Sequence, residues 1–243
     1  MTLLSVNGVI RRFRGVVALD DVSFSVAEGQ IAGIMGANGA GKTTLFSIIA
    51  GNLRPHAGQI IFAGRRIDGL RPDKISRGGI ARTFQIVRPF GNMTVLENVT
   101  LGVLYGRRRE RSVAAAEARA RNILERMGLA DRAERLASEL TLAGRKRLEI
   151  ARGLATEPRL LMLDEVLAGL TPPEVTDAID LIRKLHQRDS LTILMIEHVT
   201  RTLMALCQRI VVLHHGKKIA EGSPAEVVRD PQTVSAYLGV TQL

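Results

Sequence analysis

A single cysteine, Cys207, excludes an intrachain disulfide and fits a chain that folds in a reducing compartment. It lies in an apolar helical pattern and is predicted to pack as an inert core residue. No apolar run approaches the ~18 residues of a membrane-spanning helix. The opening Met1-Thr2-Leu3-Leu4-Ser5 lacks the basic region and cleavage site of a signal peptide. Aromatic residues make up only 3% and do not interleave with the basic ones, so a base-stacking surface for nucleic acid has little support. Acidic residues are also outnumbered, which leaves a formal charge of +10. The excess concentrates between Arg107 and Arg152, where 13 Arg/Lys face 7 Asp/Glu. Such a patch suits nucleic acid or anionic headgroups. A solvated helix face in an arginine-rich protein explains it at least as well.

What remains is the composition of a soluble globular protein, 46% hydrophobic and 24% charged. Its 243 residues allow one α/β domain with a sizeable core and a subdomain. The segment Gly36-Ala37-Asn38-Gly39-Ala40-Gly41-Lys42-Thr43-Thr44 fits the phosphate-loop pattern G-x-x-x-x-G-K-[ST] at every fixed position. The run Ile31 to Met35 before it reads as a buried strand, and Leu45 to Ala50 after it as a helix, which is the context the pattern requires. Glycines let backbone N–H groups wrap phosphate oxygens, and the helix N-terminus adds partial positive charge. Lys42 reaches the β/γ-phosphates and the Thr43 hydroxyl can ligate Mg²⁺. A Gly-rich turn between core elements would account for the glycines but not for Lys42-Thr43. A nucleoside triphosphate is the expected ligand.

Along the chain, Leu3 to Phe13 reads as an exposed strand and Val22 to Val26 as a half-buried one. Gln59 to Ala63 is a further strand, Pro72 to Arg77 a short helix, and Ile80 to Phe84 a strand ending at Gln85. Thr94 to Leu104, Ser112 to Met127 and Arg145 to Ala155 read as helices, so 86–157 is expected to be a helical subdomain inserted into an α/β core of 1–85 and 158–243. Leu160 to Asp164 and Leu191 to Ile196 are apolar strands. Thr171 is the expected cap of a helix starting near Pro172-Pro173. Ile210 to Glu221 forms a hairpin, and Ser223-Pro224-Ala225-Glu226 is a capping box.

Ligands in such sheets bind beyond the carboxyl ends of the strands. Three strands end in polar residues: Gln85, Asp164-Glu165 and His198. Asp164 suits a Mg²⁺ contact, and Glu165 can orient or deprotonate an attacking water. Gln85 can hold water or metal, and His198 can hydrogen-bond the γ-phosphate or the nucleophile.

From end to end the chain resembles the nucleotide-binding subunit of an ATP-binding cassette (ABC) transporter. The matching residues are Walker A at Gly36 to Thr43, Walker B at Leu160 to Asp164 with Glu165 as catalytic carboxylate, Gln85 at the Q-loop and His198 at the switch histidine. The resemblance places Phe13 where the family stacks an aromatic ring on adenine, and hence implies ATP with Mg²⁺. It implies a P-loop NTPase fold: a mixed sheet with helices, an antiparallel β subdomain and an inserted α-helical subdomain. Ala81 to Gln85, Arg147 to Arg152 and Ala236 to Gly239 are most similar to the subunits of branched-chain amino acid importers, with lipopolysaccharide-export ATPases as the alternative. The partners implied are transmembrane permease subunits and a second ATP-binding subunit, with no nucleic acid, at the cytoplasmic face of the inner membrane.

The family signature LSGGQ aligns with Leu140-Thr141-Leu142-Ala143-Gly144, so that Thr141, Ala143 and Gly144 would contact the nucleotide of the partner subunit. Leu142 and Ala143 replace glycines, Val166 replaces the proline after the catalytic carboxylate, and Thr171 stands at a D-loop position usually held by Asp. The residues for the chain's own nucleotide are intact and those offered to a partner are altered, which favours a heterodimer. Two other readings remain: a nucleic-acid-associated ATPase of related fold, and an ATP-binding regulatory subunit that hydrolyses little.

Overall fold

Ile31–Met35, Leu160–Asp164 and Thr192–Ile196 are strands buried at every position, the pattern of parallel strands covered on both faces. The structure, a computed structural model, describes residues 1–83, 89–197 and 200–238. In chain order the first elements are β1 (Thr2–Phe13), β2 (Val16–Ala27), β3 (Ile31–Met35), α1 (Lys42–Ile49), β4 (Ala57–Phe62) and β5 (Arg65–Arg66). There follow α2 (Pro72–Gly78), β6 (Ile80–Arg82), α3 (Val95–Tyr105), α4 (Val113–Arg126), α5 (Leu142–Ala155) and β7 (Leu160–Asp164). The last are α6 (Pro172–Asp189), β8 (Thr192–Ile196), α7 (Thr200–Leu206), β9 (Arg209–His214), β10 (Lys217–Gly222), α8 (Pro224–Arg229) and α9 (Pro231–Leu238). Two compact units result, Met1–Pro72 with His186–Leu243, and Asp73–Leu185.

The first unit holds an antiparallel sheet of order β2-β1-β4-β5 and the strand run β10-β9-β3-β8. β3 is parallel to β8 and β9, which places Met35 opposite Val212. β1 is not the exposed strand that its mixed composition predicts. It pairs with both β2 and β4, and Leu4, Val6 and Val9 are fully buried. Register shifts along the β1–β2 ladder interrupt the alternation that would have revealed the inward face. Ser223 caps α8 reciprocally with Glu226, as predicted, with the Ser223 N–H donating to Glu226 Oε2 at 2.7 Å.

In the second unit β6 runs parallel to β7, and α3, α4 and α5 pack together. Thr94 starts α3 through a capping box with Glu97, and Ser112 caps α4. Thr171 stands at the N-cap of α6 as expected, its carbonyl accepting from the Val175 N–H at 2.9 Å. Its N–H and hydroxyl both donate to Glu174 Oε2 at 2.8 Å. These bonds, led by the backbone N–H, hold the Glu174 carboxyl below the usual carboxylate range. Four arginines of the basic stretch pair with carboxylates: Arg108 and Arg119 with Glu157, Arg121 with Glu134, Arg147 with Asp177. This is the arrangement of a solvated, ion-paired face.

Candidate functional site

The phosphate loop leaves the buried end of β3 and turns into α1. Gly36 is fixed by crowding: a Cβ there would stand 2.5 Å from the Leu213 carbonyl oxygen and 2.9 Å from Ala40 Cβ. Gly41 is fixed twice. Its φ of 103° is left-handed, and a Cβ would meet the Ala18 carbonyl oxygen at 2.5 Å. Ala40 is stitched to the β9–β10 turn by the Gly216 N–H, which donates to its carbonyl at 3.1 Å, and Asp20 N–H donates to Gly216 at 2.8 Å. Ala37, Asn38 and Gly39 are left exposed at the crest of the loop. Gly41 caps α1 without a side-chain hydrogen bond, and no acidic residue stands in the first turn to offset its partial positive charge. Lys42, only 5% exposed, turns its ammonium back under the loop. Its Nζ donates to the Gly36 carbonyl at 2.7 Å and the Ala37 carbonyl at 2.9 Å. Thr43 is exposed and Thr44 half-buried on the first turn.

The carboxylates stand at the end of β7. Asp164 is 1% exposed, and its Oδ2 accepts from Arg82 Nη2 at 2.7 Å. Its backbone N–H donates to the Thr83 hydroxyl at 3.0 Å, and Thr83 N–H donates to the Met162 carbonyl at 2.9 Å. Asp164 Oδ1 is buried with no hydrogen-bond partner among the described residues. A buried, anionic oxygen left without a donor is costly, and it is the hard ligand that Mg²⁺ takes, directly or through water. Among the described residues no cluster of three His, Cys, Asp or Glu could cage a metal.

Glu165, the next residue, is 5% exposed and has a φ of 50°. For a side chain with a Cβ this left-handed geometry costs on the order of 1–2 kcal/mol, and such strain gathers at functional sites. The carbonyl of Glu165 accepts from the Ala168 N–H at 3.2 Å and from Lys146 Nζ at 3.1 Å. Val166 and Leu167 are buried behind it.

Residues 19–168 match the ABC transporter family, and residues 217–241 match a family described as branched-chain amino acid ATP-binding cassette transporter. The chain belongs to the ABC transporter family. It is 41% identical, over 98% of each chain, to the high-affinity branched-chain amino acid transport ATP-binding protein LivG of Salmonella typhimurium. It is 39% identical over the same share to BraF of Pseudomonas aeruginosa, and 35% identical over 98% and 97% of the two chains to the lipopolysaccharide export protein LptB of Acidithiobacillus ferridurans. Its fold is similar to that of MJ1267, an ATP-binding cassette of an ABC transporter solved in its ADP conformation. The TM-score there is 0.88 and the identity 31%, over 99% of this chain and all of the other.

Two of this cassette's predicted residues, Gln85 and His198, lie outside the described residues. Phe13 ends β1 and is 39% exposed, with the Arg11 guanidinium 4.7 Å from its ring centre. It faces Val16 across the hairpin, two residues from the Ala18 carbonyl that backs Gly41. In the signature segment the structure differs from the sequence expectation. The helix starts at Leu142 rather than Arg145, and Thr141 is its N-cap, accepting from the Gly144 N–H at 3.2 Å. Leu142 and Ala143 are therefore first-turn residues, absent from the positive-φ positions. Their Cβ atoms do not strain the backbone, and their N–H groups keep the orientation of a helix N-terminus. What the substitutions add is bulk, because Leu142 is 46% exposed. Sequence reasoning missed Arg82 and Lys146. A charge closing the apolar strand Ile80-Ala81-Arg82 was a signal for the first; nothing local marks the second.

Proposed function

We propose that this cassette binds and hydrolyses Mg·ATP and drives uptake of branched-chain amino acids through permease subunits at the cytoplasmic face of the inner membrane. The observation that carries the chemistry is the left-handed, buried Glu165 directly after an Asp164 with one oxygen unpartnered among the described residues. Backbone N–H groups of Gly36 to Thr44 hold the phosphates. Lys42 exchanges its carbonyl contacts for β/γ-oxygens, and Phe13 offers a ring face to adenine. Thr43 and Asp164 would hold Mg²⁺, which neutralises phosphate charge as the terminal bond breaks. Glu165 accepts the proton of the attacking water as its oxygen bonds to the γ-phosphorus and ADP leaves. Gln85 and His198 are assigned to water or metal and to the γ-phosphate on the family resemblance.

Amino-acid uptake is supported by LivG at 41% and BraF at 39% identity, against 35% for LptB. No helix among the described residues is long and apolar enough to cross a membrane; the membrane-spanning partners are proposed on the family resemblance. Phe90, 50% exposed, is proposed as a contact for a permease subunit. Asn98 holds it there, accepting from the Phe90 N–H at 2.9 Å and donating to its carbonyl at 3.0 Å. Bulky Leu142 on the signature turn favours pairing with a different cassette. Affinity purification of the tagged cassette from membranes tests these partners. Two permeases and a second, signature-intact cassette are expected. Recovery of the cassette with nucleic acid alone, or as a lone homodimer, would contradict the assignment.

A further inference from the structure

The strained turn at Glu165 is tied to α5, the helix that begins with the signature residues. Lys146 stands in the second turn of α5, is 5% exposed, and donates from Nζ to the Glu165 carbonyl oxygen at 3.1 Å. A buried ammonium is costly to keep in place of an aliphatic side chain. A left-handed non-glycine residue persists only where its surroundings over-determine it. These two requirements meet at one oxygen. A second contact joins the same segments. A Cβ at Gly169, four residues beyond Glu165, would stand 3.2 Å from Leu142 Cδ2.

We infer that Lys146 is a positioning residue for hydrolysis. Its ammonium, anchored in α5, pins the turn that aims the Glu165 carboxylate, without touching nucleotide itself. This rests on the reading of Glu165 as the general base. It goes beyond that reading by giving α5 a second task. The helix whose first turn is offered to a partner's nucleotide also fixes the base used on this chain's own nucleotide.

The test uses the assembled transporter carrying Lys146→Met or Lys146→Arg, with Glu165→Gln setting the background from other subunits. Methionine keeps the stem and loses the donor; arginine keeps a donor. Lys146→Met should lower kcat roughly 10- to 100-fold, the scale of a slight misplacement of a reacting group. KM for ATP and the affinity for a fluorescent ATP analogue should stay within about two-fold, since ground-state binding is untouched. Lys146→Arg should recover most of the rate. Introduced into Glu165→Gln, Lys146→Met should change turnover less than about two-fold, because the two act through one group. If methionine prevents assembly, Lys146→Leu, which also lacks a donor, replaces it with the same expectations. Parent turnover in Lys146→Met beside an inactive Glu165→Gln would overturn the inference alone. So would equal losses in the methionine and arginine variants, or a full additional loss in the Glu165→Gln background. Parent turnover in Glu165→Gln would overturn the base assignment and the inference with it.

Discussion

Arg82→Met should unfold the cassette at markedly lower temperature, and the size of the effect follows from burial. The Arg82 and Asp164 side chains are 8% and 2% exposed and meet at 2.7 Å. Methionine fills the space of the stem but leaves the Asp164 carboxylate in the interior without its counter-charge. Breaking a buried pair from one side costs about 3–5 kcal/mol. In a chain of this length each kcal/mol moves Tm by about 2–4 °C, so a fall of about 6–20 °C is expected. Circular dichroism melts of parent and variant without nucleotide measure it. Mg·ATP should raise Tm more in the variant than in the parent, because a cation near Asp164 restores part of the missing positive charge. A variant melting within about 2 °C of the parent, with the same response to Mg·ATP, would refute the argument that Arg82 neutralises Asp164.

Lys42→Ala should reduce ATP-analogue binding to near background in equilibrium titrations, since the ammonium beneath the loop is lost. Leu142→Gly with Ala143→Gly should raise hydrolysis by a homodimer by relieving side-chain bulk, and hardly alter turnover at this chain's own site beside a different cassette. Burial pushes the Cys207 thiol up from 9.0 to about 12. The folded state therefore holds its proton more tightly than the unfolded state. Its contribution is intact below pH 9 and is lost as pH rises from there towards 12, an effect of roughly 4 kcal/mol at full extent. Alkaline denaturation of Cys207→Ala should show a shallower loss over that window than the parent.

Local chemistry made much of this molecule legible. The phosphate loop follows from residue types at fixed spacing, and Gly36 and Gly41 prove to be glycines because a Cβ would strike a backbone carbonyl. β3 is readable as an apolar pentad, β7 as four apolar residues closed by Asp164, and α8 as a capping box. The misreadings have physical causes. Register shifts hide the buried face of β1. The start of α5 was obscured by Gly144, which resembles loop sequence but is a buried first-turn residue packed on Leu140. The contacts that set the carboxylates, Arg82 with Asp164 and Lys146 with the Glu165 carbonyl, join residues far apart in sequence. No periodicity reports such pairs.

The central claim is that ATP hydrolysed with Glu165 as base moves a branched-chain amino acid across a membrane. Uptake of labelled leucine into proteoliposomes tests it, with the complete transporter reconstituted and Mg·ATP supplied on the cassette side. The parent should accumulate leucine only with ATP, and Glu165→Gln should bind nucleotide yet transport about 10²–10⁴-fold more slowly, the worth of a positioned base. Leucine uptake by Glu165→Gln at the parent rate, or ATP hydrolysis by the parent with no leucine movement, would contradict the account.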